Sequence, residues 1–159
     1  MNKIIFLIFL SLSSVCFGQQ KEIDQTLEKW HKAAADADFE TYFGLMTDDS
    51  IFIGTDPTEN WSNKDFRAFS KPYFDRGKAW SFSTLERNIF TNDTFAWFDE
   101  LLDTQMGICR GSGVLEKTAS GWKIKHYVLS IAIPNENVKE ITTLKKEFDT
   151  KLMQKLRSK

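Results

Sequence analysis

The sequence predicts an α+β domain in which helices come first, an antiparallel meander follows, and one further helix closes the chain. Three observations predict this. Apolar residues recur at three- and four-residue spacing as far as Arg76, the period becomes two from Trp80 to Ile133, and helical spacing returns after Pro134. Consecutive strands without intervening helices exclude alternating βαβ units.

Each element has its own warrant. Glu22 to Ala37 reads as a helix because Ile23, Leu27, Trp30, Ala33, Ala34 and Ala37 share one face. Asp38 suits the N-cap of a shorter helix carrying Phe39, Tyr42, Phe43 and Met46. Ile51 to Ile53 is a brief strand, ended by the turn-forming run Gly54-Thr55-Asp56-Pro57. Ser62 caps a third helix, Asn63 to Arg76, with Phe66, Phe69, Tyr73 and Phe74; Gly77 ends it. Four strands are expected at Trp80–Phe90, Thr94–Asp103, Met106–Lys117 and Trp122–Ile133, with Pro134 closing the last. Residues 135–159 form a helix with an apolar stripe of Val138, Ile141, Leu144, Phe148, Leu152 and Leu156, which by default docks on its own domain.

A chain of 159 residues allows one domain. Its net charge of −1 and lack of a dense basic run argue against a nucleic-acid partner, which needs many phosphate-neutralising side chains. Fourteen Phe, five Trp and three Tyr supply enough ring area to fill a core or to line a hollow for an apolar ligand.

Residues 1–18 read as a signal peptide: Lys3, an apolar run from Ile4 to Leu12, then small residues ending at Gly18. That run falls short of the ~20 residues a membrane span needs, so no span is expected and the product is expected to be secreted or periplasmic. Ser13-Ser14-Val15 ahead of Cys16 lacks the residues a lipoprotein site prefers, which disfavours anchoring there. Cleavage leaves Cys109 as the sole cysteine and no internal disulfide. The expected organisation is a leader at 1–18, a domain at 19–134 and a C-terminal amphipathic helix at 135–159.

The ordered set Phe52-Ile53-Gly54-Thr55-Asp56-Pro57, Trp61, Phe66-Arg67, Ala96-Trp97, Arg110-Gly111-Ser112-Gly113-Val114-Leu115 and Trp122-Lys123-Ile124-Lys125-His126 through Ser130 resembles SnoaL-like proteins of the nuclear transport factor two-like superfamily. The resemblance covers roughly Glu22 to Pro134. It implies a cone (a cystatin-like roll), in which a curved antiparallel sheet wraps the helices and holds a pocket on its concave side. It also implies a family that mixes isomerases, dehydratases, epoxide hydrolases and cyclases with non-catalytic binders, and relatives that often dimerise through the outer sheet face. Related sequences often carry a second histidine two residues after the first in the last strand; here that position is Val128.

The chain has two histidines, His31 and His126, and no cluster with ligand spacing, so no metal and no cofactor are expected. His31, near the polar face of the first helix, reads as a surface residue. Alternation places Trp122, Ile124, His126, Val128 and Ser130 on the inner face, leaving Tyr127, Leu129 and Ile131 outside as the apolar area for a homodimer. Simple hairpin registers then bring Glu100, Arg110, Ser112 and His126 together. His126, Arg110 and Glu100 are the candidate catalytic residues, with a carboxylate or imidazole as base and Arg as oxyanion partner. Trp61, Tyr42, Phe52, Phe66 and Trp97 are candidate pocket walls, with Ser112 and Val128 beside them and Asp56 at the rim. A small, largely apolar ligand held without turnover is the favoured reading. A cofactor-independent isomerase or dehydratase and a dimeric interaction module are the alternatives.

Overall fold

The computed structural model describes residues 2–158, with side chains from residue 18; the expected leader and Cys16 lie outside the described side chains, Gly18 apart. The chain runs α1 (Asn2–Ala35), α2 (Phe39–Gly44), β1 (Met46–Ile53), β2 (Asn60–Ser62), α3 (Asn63–Asp75), β3 (Phe82–Thr91), β4 (Phe95–Thr104), β5 (Gly107–Thr118), β6 (Gly121–Ile131), a 3-10 turn at Asn135–Asn137 and α4 (Val138–Arg157). Among the described residues, no helix is long and apolar enough to cross a membrane.

The two caps expected from sequence are formed. The Asp38 carboxylate accepts the Thr41 N–H at 3.0 Å, and the Ser62 hydroxyl accepts that of Asp65 at 3.3 Å, each satisfying a donor the first helical turn would leave unpaired. The six strands form one sheet in the order β2-β1-β6-β5-β4-β3. Neighbours are antiparallel except β1 and β6, which run parallel. β1 begins at Met46 rather than Ile51, because Met46, Thr47, Ser50 and Phe52 all turn into the interior.

Two irregularities set which side chains face inward. On β6, Leu115 pairs with Ile124 while Val114 pairs with His126, so Lys125 is an extra residue and the alternation reverses there. Trp122 and Ile124 are buried before the bulge, Tyr127 and Leu129 after it. On β3, the pairing shifts between Thr84 and Glu86, which turns Arg87 inward opposite Glu100.

Helices α1 to α3 cover the concave face, and rings fill most of it. Trp30 stacks on Tyr42 at 4.9 Å, and Phe52 stacks on Phe66 at 4.0 Å and on Tyr127 at 5.5 Å. Helix α4 departs from the default expected of it. None of its residues is buried and Leu144 is 75% exposed, because the other helices already occupy the concave side.

Candidate functional site

A hollow of about 340 Å³ remains at the mouth of the cone, at the small end of the ~300–1,000 Å³ usual for small-molecule sites. Four segments meet around it. Strand β1 and the loop after it bring Phe52, Gly54, Thr55 and Glu59; α3 brings Phe66, Phe69 and Tyr73 at helical spacing. The approach to β3 contributes Ala79, Trp80 and Phe82, and the β4–β5 turn contributes Gln105 and Met106, with Leu129 as floor. Gly54 leaves room for the Glu59 carboxylate to fold against the loop; a Cβ there would meet that carboxylate and turn it aside.

Behind the hollow lies a closed network of charges. Glu100 is buried with its side chain fully covered, and both of its oxygens are taken. Oε1 accepts from the Tyr127 hydroxyl at 3.0 Å and from His31 Nε2 at 2.9 Å, which fixes the proton on that nitrogen because an ionised carboxylate can only accept. Arg87 Nε and Nη2 donate to Oε2 at 2.9 and 2.8 Å. Arg87 also reaches outward to Asp24 at 2.6 Å and Glu28 at 2.9 Å on α1.

Burial pushes the Glu100 carboxyl up, but the His31 hydrogen bond and the charges of His31 and Arg87 outweigh it and hold the group below the ordinary carboxylate range. Burial and the neighbouring carboxylate push the Tyr127 phenol well above its ordinary value, so it stays a neutral donor. Burial likewise keeps Tyr42 neutral. Gly111 lies opposite Glu100 in the sheet; a Cβ there would collide with the Tyr127 hydroxyl and come within 2.8 Å of Glu100 Oε1.

The network and the hollow touch only through rings. Phe82 packs edge-on against His31 at 5.8 Å, and Phe52 lies over Tyr127. None of Arg87, Glu100, His31 or Tyr127 lines the hollow.

The expected cluster is corrected by this register. Glu100 lies inside, but Arg110 pairs with Ser130 and Leu101, Ser112 with Val128, and Val114 with His126, all on the outer face. The bulge at Lys125 turns His126 and Val128 out and Tyr127 and Leu129 in, so the last two leave the outer face. Arg110 is exposed and Glu100's cation is Arg87. His31, expected at the surface, is 3% exposed.

Among the expected walls, Phe52 and Phe66 line the hollow. Tyr42 is buried behind it; Trp61 stacks on Phe69 at 5.0 Å outside it. Trp97 is exposed on the outer face against Phe90, and Asp56 caps its own turn through Thr58. Glu59, Trp80, Phe82, Gln105 and Met106 were not expected at a site. Their signal is weak, since they lie in turns and at strand ends where no periodicity operates.

A second concavity, about 640 Å³ at the opposite end of the sheet, is an open polar groove lined by Thr47, Asp48, Asp49, Glu116 and Lys123 among others. Lys125 bridges Asp49 at 2.6 Å and Glu116 at 3.1 Å within it, so three of its charged groups are already paired with one another.

Residues 23–134 match the family model described as a SnoaL-like domain. No curated protein matches the chain. Several solved structures share its fold. A nuclear transport factor two-like protein of unknown function from Pseudomonas putida is 16% identical, covering 74% of this chain and 89% of its own, with a TM-score of 0.62. A nuclear transport factor two-like protein from Cytophaga hutchinsonii is 18% identical, covering 72% and 98%, with a TM-score of 0.62. A domain of unknown function with a cystatin-like fold from Nostoc punctiforme is 16% identical, covering 89% and 98%, with a TM-score of 0.64. At these identities the likeness speaks for the fold alone.

Proposed function

This chain belongs to the SnoaL-like domain family, and from that premise we propose that it binds a small, largely apolar molecule in the hollow at the mouth of its cone, without turning it over. One observation carries the reading. The hollow is walled by Phe52, Phe66, Phe69, Tyr73, Trp80 and Phe82, while the buried ionisable set stands behind those rings with its hydrogen bonds already made. A carboxylate held by four donors and kept ionised is a poor proton acceptor, no histidine lines the hollow, and the one carboxylate that does, Glu59, sits at its rim folded over Gly54. Burial of an apolar body against six rings needs no chemistry from the protein.

Calorimetric titration with 2-naphthylmethanol, a neutral bicyclic probe, tests the reading. Saturable binding that weakens at least tenfold in Trp80→Ala supports it. Binding that survives Trp80→Ala and Phe82→Ala unchanged contradicts it.

Two further parts of the proposal rest on other residues. Export rests on the leader pattern of residues 1–18, and an intact mass beginning at Gln19 is the expected result; retained residues 1–18 would reject it. A homodimer through the outer sheet face rests on the exposed, stacked pair Phe90 and Trp97, each 49% exposed, with Val114 and Val128 beside them. Light scattering that shows only monomer at micromolar concentration would reject it.

A further inference from the structure

We propose that the hollow selects a cationic ligand: an organic ammonium group carried on an apolar or aromatic body. The inference rests on the hollow being a binding site, as proposed above, and names the chemistry of what enters it. Its lining contains six aromatic rings and one ionisable carboxylate, Glu59, and no lysine, arginine or histidine. Aromatic faces attract cations through the ring quadrupole and are indifferent or hostile to anions. A carboxylate beside such rings adds the counter-charge that an ammonium head needs once it leaves water.

Glu59 is held ready for that role. Its backbone closes the β1–β2 loop, with Gly54 N–H donating to its carbonyl at 3.1 Å and its own N–H donating to Asp56 at 2.9 Å. The side chain folds over Gly54, and Oε2 accepts only the Asp56 N–H, at 3.3 Å. Among the described residues, no ion pair involves Glu59. It is half-buried at the rim, so its charge is neither fully hydrated nor neutralised.

The nearest comparable contact already present on these rings is Arg76, outside the lining, whose guanidinium lies 4.7 Å from the Tyr73 ring centre.

Three probes of one shape separate the possibilities in calorimetric titrations of the full chain: (2-naphthylmethyl)trimethylammonium, 2-naphthylmethanol and 2-naphthoate. The ammonium should bind about tenfold more tightly than the alcohol at low salt, and the naphthoate more weakly than both. Glu59→Gln should reduce the ammonium's advantage over the alcohol, both measured on the same variant, to within about threefold. Raising ionic strength should erode the same advantage, because a rim charge is screened. If the alcohol binds and the ammonium gains nothing over it, or if Glu59→Gln leaves the preference intact, the charge selectivity is refuted while the hollow stands as a site. If none of the three binds, both readings fall.

Discussion

The deep wall and the mouth of the cone each set one carboxylate among aromatic rings, and the surroundings of the two carboxylates differ in every respect that matters. Glu100 has donors from three side chains on both oxygens and no opening to the hollow. Glu59 has a single backbone donor and lies on the rim of a space about 340 Å³ in size. Taking a charge out of water is tolerated only where partners replace the water, so the closed network reads as architecture. A carboxylate that keeps acceptor capacity free on the rim of a space lined by rings reads as recognition.

The largest effects should come from breaking the deep wall. Glu100→Ala strips the carboxylate from Arg87, His31 and Tyr127 together, and should cost roughly 3–5 kcal/mol in urea unfolding, the range for removing one partner of a buried pair. Glu100→Gln, which keeps the shape, should cost less. The same group gives a pH signature. Its folded-state pKa lies below the unfolded value near 4.5, so its stabilisation is complete above that value and is lost as pH falls through the lower folded one. Acid unfolding of Glu100→Gln should therefore be shallower than that of the parent in this window. Equal slopes would show that the pairing contributes nothing to stability.

Gly111→Ala is the next largest test. The added methyl must displace the Tyr127 hydroxyl or Glu100, and a loss of about 1–3 kcal/mol is expected from the overpacking. A melt within 1 °C of the parent would show that the wall has room.

How much of this contrast is legible without coordinates depends on the strand. On β4 no bulge intervenes, and Ala96, Phe98, Glu100 and Leu102 alternate cleanly inward. That pattern alone buries Glu100 and, by the same parity, sends Trp97 outside. On β6 the run Ile124-Lys125-His126-Tyr127 alternates without any mark at Lys125, and an unmarked bulge exchanges every later residue between faces. His126 and Tyr127 change places for that reason. Arg87 is hidden by the corresponding shift on β3. His31 is a helical case. The interior side of α1 extends to His31 because β3 and β6 bring Phe82 and Tyr127 against the ring next to Trp30, wider cover than a single apolar stripe implies.

The smallest effects sharpen the comparison from the outside. Arg110→Ala and His126→Ala alter residues on the outer face, and each should shift the stability of the monomer by less than about 0.5 kcal/mol and leave binding of 2-naphthylmethanol unchanged. A loss of binding in either variant would move the site to the other side of the sheet. Removal of residues 138–159 should leave the melting temperature of the remaining domain within about 2 °C, since α4 buries nothing.

The claim that the mouth is where a ligand sits is tested most directly by methyl resonances. The described part of the chain offers three methionines in three places: Met106 on the hollow, Met46 in the core at 1% exposure, and Met153 on α4. Titration of methyl-labelled protein with 2-naphthylmethanol should move the Met106 signal progressively to saturation, with Met46 and Met153 nearly still. Saturating shifts at Met46 or Met153 with Met106 unmoved would contradict the account.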